Sequence, residues 1–235
     1  MEIKEKIIGV IGGMGPEATL DLFNKIIKNT HASKDQDHIH LIIDNYPQIP
    51  DRTSFLLGKG ENPLPHILES AKKLEKIGVD AICIPCNTSH YFEEEIKKNI
   101  SVPFISIIQS VVDELKSKFA DCKNVGILAT KGTLIAKIYE NPIIKEGFNF
   151  IPPGPEIRDR IMDIIYSIKA GLLMKNIQIF KKVLNEYLLY NLDILIAGCT
   201  EIPLILPYVE VNIPIIDSTL ALAKNIIRFA KGVNI

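Results

Sequence analysis

The chain has 235 residues, 47% of them hydrophobic, and its 27 Lys and Arg nearly balance 28 Asp and Glu, for a formal charge of −1. That length suits two small domains with real cores, and the near-zero charge excludes a chain-wide pull toward nucleic acid or anionic membrane. No apolar run approaches the roughly 18 residues of a membrane helix, and four cysteines are too few for a disulfide scaffold.

The opening MEIKEKIIGVIGG carries acidic residues and a short apolar stretch that leads into glycines. It reads as a first strand rather than a secretion signal, so the expectation is a cytoplasmic protein with reduced thiols. Further strand candidates are Ile7–Ile11, Ile39–Ile43, Ala81–Pro85, Phe104–Ile107, Val125–Ala129, Asn149–Ile151, Ile194–Ala197 and Ile213–Ile216. Most are nearly continuous apolar runs, the pattern of parallel strands covered on both faces. Amphipathic segments lie between them, as with Ile157, Ile161, Ile164, Ile165 and Ile168 at helical spacing. Strands alternating with helices predict an α/β fold built of βαβ units. Right-handed crossovers then gather strand C-termini on the edge where such sheets bind ligands.

The chain also repeats itself. DAICIPCNTSH from Asp80 and DILIAGCTEIP from Asp193 each place a Cys six residues after an Asp. KIIGVIGGMG at 6–15 resembles KNVGILATKG at 123–132, and VPFIS at 102–106 resembles IPIID at 213–217. Gly9 and Gly126, Cys86 and Cys199, Pro103 and Pro214 are separated by 117, 113 and 111 residues. Three ordered matches at nearly one offset predict two similar α/β lobes with a seam near Asp113–Lys123. The expected division is a first lobe over 1–115 and a second lobe over 116–216. Pseudo-two-fold symmetry would place Cys86 and Cys199 on opposite sides of one cleft.

A thiolate and a thiol facing one tetrahedral carbon can remove a proton from one side and return one to the other, which inverts it. Such acid–base work needs pKa values near the working pH, and a helix N-terminus can lower that of a Cys. Asn87-Thr88-Ser89 and Thr200-Glu201 read as helix starts with side-chain caps.

IGVIGGMGPEAT at 8–19, CNTSH at 86–90 and GCTEIPL at 198–204 resemble the aspartate/glutamate racemase superfamily, specifically its aspartate racemase branch. Glutamate racemases typically carry Asp-Ser after the first strand and His after the second Cys-Thr; Gly12-Gly13 and Glu201 stand there in this chain. The resemblance implies a cofactor-independent, usually dimeric enzyme interconverting L- and D-aspartate, with Cys86 and Cys199 catalytic. It also implies that a final helix at 217–235 packs back on the first lobe, and that Met14, Asn87, Thr88 and Thr200 line the amino-acid pocket. Arg52 and Lys169 match basic residues that hold carboxylates, for which a guanidinium offers a planar fork.

Other readings compete. Cys83 and Cys86 spell CIPC, a redox spacing, but Cys83 lies within an apolar run and reads as buried and inert, while Cys122 reads as a surface-loop residue. GMGPEA at 13–18 fits the dinucleotide-binding glycine pattern; Pro16 removes one N–H from that turn, and no clear acidic residue stands about 20 residues on at a second strand end, Asp44 coming later. A broader amino-acid or glutamate racemase, a decarboxylase or maleate isomerase of the same superfamily, and a non-catalytic carboxylate-binding module also remain. His90 reads as part of a helix's opening turn, and His31, His38, His40 and His66 show no ligand spacing, so no metal is expected.

Overall fold

The computed structural model describes residues 6–232. Its elements run β1 (Ile7–Gly12), α1 (Pro16–Asn29), β2 (His40–Asn45), α2 (Arg52–Leu56), α3 (Leu64–Ile77), β3 (Ala81–Cys83), α4 (Glu93–Asn99), β4 (Phe104–Ile105) and α5 (Ile107–Lys118). The second half continues with β5 (Asn124–Leu128), α6 (Lys131–Ile135), α7 (Glu140–Lys145), β6 (Asn149–Ile151), α8 (Pro155–Lys169), α9 (Leu173–Leu188), β7 (Ile194–Ala197), α10 (Ile202–Ile205), β8 (Ile215–Asp217) and α11 (Ser218–Lys231). Residues 233–235 of the expected C-terminal helix lie outside the described residues.

Two four-stranded sheets result, ordered β2-β1-β3-β4 and β6-β5-β7-β8, and every pairing is parallel. The topology repeats strand for strand, as the duplicated sequence requires. The repeated Asp explains part of that likeness. Asp80 Oδ2 accepts the Ile7 N–H at 2.7 Å, and Asp193 Oδ2 accepts those of Lys123 and Asn124 at 2.8 Å each. In each lobe, therefore, a carboxylate pins the start of one central strand to the start of the other. The cysteine six residues later is carried to the same height above its sheet.

Strand ends differ from the sequence pattern where neighbours decide them. The run to Pro85 stops pairing at Cys83, because β4 is only two residues long and meets β3 at Ile82 and Cys83 alone. The expected strand to Ile107 likewise ends at Ile105, where Ser106 caps α5. The strand expected at Ile213–Ile216 shifts to Ile215–Asp217, and Ala197 pairs with Asp217.

Three apolar clusters hold the fold. One packs α3 on the outer face of the first sheet and includes Cys86; a second packs α8 and α9 on the second sheet and includes Cys199. The third joins the lobes, drawing Ile8 and Val10 of β1, Val125 and Ile127 of β5, and the buried faces of α1, α5 and α11 into one continuous core. The final helix packs against α1 and α5 of the first half, and Lys25 Nζ reaches Asp217 at 2.6 Å.

Candidate active site

Cys86 stands three residues beyond the end of β3 and Cys199 two beyond β7. Both line one cavity, together with Met14, Arg52, Asn87, Thr88, Lys169 and Thr200. The structure thus brings together all eight residues singled out in the sequence. Cys83 and Cys122 line no part of it. The inner space is closed down to about 10 Å³, the room of one water, and adjoins an outer pocket of about 330 Å³ that shares Met14, Arg52, Lys169 and Glu201. A separate groove of about 200 Å³ between α5 and α11 reaches neither cysteine.

The loop carrying Cys86 is fixed from several sides. His90, buried in a 3₁₀ turn over Thr88–Phe92, contacts the Cys86 carbonyl oxygen through Nδ1 at 2.9 Å, while its Nε2 accepts the Ile107 N–H at 3.1 Å. Those partners place the proton on Nδ1. Burial lowers the His90 pKa and keeps the ring neutral, although Glu93 pulls the other way. Asn87 receives the Tyr139 hydroxyl at 2.5 Å and donates to Ser218 Oγ at 3.2 Å. Ser218 Oγ donates in turn to the Ala197 carbonyl at 2.7 Å. One polar chain therefore connects the residue after Cys86 to the strand that delivers Cys199.

The sequence expectation that Asn87, Thr88 and Thr200 cap helices is corrected. Asn87 and Glu201 occupy the N-cap positions without a side-chain cap bond. The Asn87 amide is taken up by Tyr139 and Ser218, and Thr88 Oγ1 meets Thr130 and Thr133 hydroxyls at 3.0 and 2.9 Å. The Thr200 hydroxyl donates to Glu201 Oε2 at 3.4 Å. The helix after Cys199 has four residues, too short for much dipole. Burial and the Glu201 carboxylate raise the Cys199 pKa well above the ordinary thiol value, Lys169 offsetting only part.

Two cations face the cavity. Arg52 is buried, with Nη1 donating to the Ile49 and Pro50 carbonyls at 3.2 and 3.0 Å and Nη2 to that of Met14 at 3.2 Å. Its Nε–H has no partner among the described residues, so this N–H is left for a ligand. Burial opposes the guanidinium charge, but Cys86 and Asp51 outweigh it and hold the Arg52 pKa above its usual value. Lys169, the last residue of α8, pairs with Glu201 Oε1 at 3.0 Å. It is therefore already paired with a carboxylate of the protein. Burial disfavours its charge, yet Glu201 and then the two cysteine sulfurs keep its pKa raised.

Met14 is buried, with Sδ accepting from the Ser89 hydroxyl at 3.4 Å. Burial raises the pKa of Cys83, as expected of an inert thiol; Cys122 is half-buried against the inter-lobe core. In the glycine loop the Gly13 N–H is taken by Thr19 Oγ1 at 2.9 Å. No group of three or more His, Cys, Asp or Glu side chains could hold a metal among the described residues.

Sequence reasoning missed Glu201 as a site residue, along with Thr130, Tyr139, Tyr166 and Ser218. Glu201 had a visible signal, two positions past a candidate Cys, and Thr130 stands in the repeat where the first half has Gly13. Tyr166 donates to Asp51 Oδ1 at 2.8 Å across the cavity mouth, a pairing over 115 positions that no local pattern announces.

Two cysteines lining one closed cavity, beside an arginine with an unpartnered donor, suit stereochemical inversion of an acidic C–H. The Asp/Glu/Hydantoin racemase family model matches residues 11–226. The chain belongs to that family. It is 32% identical over 229 residues to a broad specificity amino-acid racemase, RacX, of Bacillus subtilis (strain 168), covering 93% of this chain and 96% of that protein. The aspartate racemase of Picrophilus torridus superposes with a TM-score of 0.81 at 33% identity, covering 96% and 94% of the two chains. An aspartate racemase homologue from Pyrococcus horikoshii OT3 gives a TM-score of 0.75 at 27% identity, covering 96% and 99%.

Proposed function

We propose that this chain is a PLP-independent racemase that interconverts L- and D-aspartate by two-base proton transfer between Cys86 and Cys199. The observation that carries the reading is the shared closed cavity of the two cysteines. One sulfur, as thiolate, takes the proton from Cα. The other, as thiol, donates one to the opposite face, so the two sulfurs exchange protonation states. The Arg52 guanidinium, with its spare Nε–H, holds the α-carboxylate, and Lys169 is the second cation for a substrate side chain. Met14, Asn87, Thr88 and Thr200 complete the walls.

A broader amino-acid specificity is the second reading, and one observation favours it. Because Lys169 already pairs with Glu201, a side-chain carboxylate has to compete for that ammonium, and a neutral side chain does not. We further infer a homodimer in the cytoplasm. The exposed stripe of Leu20, Phe23 and Ile27 along α1 supplies an apolar contact face, and no described helix is long and apolar enough to cross a membrane.

The test is solvent exchange in heavy water with each aspartate enantiomer, alongside glutamate and several neutral amino acids. Wild type should racemise with deuterium incorporation at Cα. Cys86→Ser and Cys199→Ser should each abolish racemisation, with any residual exchange confined to opposite enantiomers. Normal racemisation by either variant refutes the two-thiol reading, and equal rates on neutral amino acids refute the aspartate assignment in favour of the broader one.

A further inference from the structure

Cys86 and Cys199 occupy matched places in a duplicated fold and share Lys169 as a neighbouring cation, yet each meets a further charged partner of opposite sign. Accessibility does not separate them, since they are 5% and 6% exposed. Their neighbours do. Cys199 Sγ donates to Glu201 Oε2 at 2.9 Å, and that carboxylate is itself only 3% exposed. Cys86 instead faces the buried Arg52 guanidinium. Where two titratable groups of one site meet environments of opposite sign, acid and base roles divide between them.

We propose that Glu201 is a positioning residue that keeps Cys199 protonated in the substrate-free enzyme, so that the first proton abstraction falls to Cys86. The inference rests on the two-thiol reading above and deepens it. In one turnover the Cys86 thiolate gains the proton that Cα loses, and the Cys199 thiol gives its proton to the opposite face. Cys86 ends as thiol and Cys199 as thiolate. The new thiolate then lies beside the Glu201 carboxylate, an arrangement of like charges that favours taking a proton back. Resetting moves one proton from Cys86 to Cys199 through solvent, and the substrate is unchanged in composition. Lys169, 3.0 Å from the other Glu201 oxygen, limits the repulsion so that the second state is reachable. Burial acts in the same direction as Glu201 at Cys199.

The measurement is site-resolved alkylation with iodoacetamide, read by peptide mapping from about pH 6 to about pH 10 on wild type, Glu201→Gln and Lys169→Gln. Cys122, which lines neither pocket, serves as reference. In wild type at neutral pH, Cys86 should react on the order of tenfold faster than Cys199. Glu201→Gln should speed Cys199 by about tenfold and move its pH profile acidward by about one unit, with Cys86 changed less than about twofold. Lys169→Gln should move the Cys199 profile the opposite way. Opposite shifts from two neighbouring substitutions are not produced by loosened packing, which would expose both thiols together. Equal wild-type reactivity, a Cys199 profile unmoved by Glu201→Gln, or parallel changes at both thiols overturns the proposal. If Glu201→Gln does not fold, wild type and Lys169→Gln decide. Alkylation requires no turnover, so the two readings fail separately. Loss of the racemase reading appears as no α-proton exchange in wild type, and loss of the Glu201 role appears as exchange with indistinguishable thiols.

Discussion

Gly132→Ala tests how tightly the lobes must close for the sulfurs to share one carbon. Gly132 sits in α6 where it meets α2 of the other lobe. A Cβ placed there would lie 2.9 Å from Thr53 Oγ1, 3.0 Å from Thr53 Cα and 3.1 Å from Thr88 Cγ2. Carbon contacts prefer about 3.5–4.0 Å, so the Thr53 backbone and Thr88 must retreat by about 0.5 Å. Helix propensity favours Ala by up to about 1 kcal/mol, and overpacking costs about 1–3 kcal/mol. The expected net loss of stability is about 1 kcal/mol, or about 2–4 °C in Tm for a chain of this size. Activity should suffer more. Thr88 is two residues from Cys86, and a misplacement of about 1 Å can cost on the order of 100-fold, so about half that displacement should lower kcat on the order of tenfold. Chiral chromatography of aspartate with time gives kcat, and thermal unfolding gives Tm. A variant with wild-type kcat would refute the claim that this contact sets the working distance.

Tyr139→Phe removes the hydroxyl that donates to buried Asn87 Oδ1. Leaving that acceptor unmet should cost about 1–3 kcal/mol, and an unchanged unfolding midpoint would count against the polar chain between the strand ends. His90 predicts an acid-side loss of stability. Burial holds its folded pKa below the ordinary 6.5, so between those two values the unfolded chain binds the extra proton. Its contribution is complete above the unfolded pKa and is lost as pH falls below it. Urea midpoints should decline on acidification below that point, and His90→Gln should flatten the decline.

Much of the fold was legible because the strands are buried on both faces and so appear as unbroken apolar runs. Asn149–Ile151 and Ile194–Ala197 match to the residue. The other strand ends followed from pairing, which a single run does not encode; β2 continues to Asn45 because β1 continues to Gly12 opposite it. The helices α2, α6, α7 and α10 are four to six residues long, too short for a helical period to register. The cysteines could be found because each is tethered at a fixed distance from a strand-pinning Asp. Their neighbours could not, since Tyr139 reaches Asn87 across 52 positions and Ser218 reaches it across 131. The capping misreading has the same origin at Asn87 and Thr88, whose side chains are drawn away by partners in the second half of the chain, while Thr200 turns to its neighbour Glu201. The repeat itself held more than strands. Its paired glycines, Gly15 and Gly132, each sit where a loop approaches the opposite lobe, Glu201 Oε1 being 3.4 Å from a Cβ built at Gly15.

The return of α11 to the first half has a mechanical consequence. The polypeptide crosses from one half to the other after α5 and comes back between β8 and α11, so two covalent pins join the halves. A single pin would permit twisting in any direction. Two pins restrict relative motion to swinging about the line through them, as a door swings on its frame. A swing of that kind would widen the gap between the halves without sliding one strand end past its counterpart.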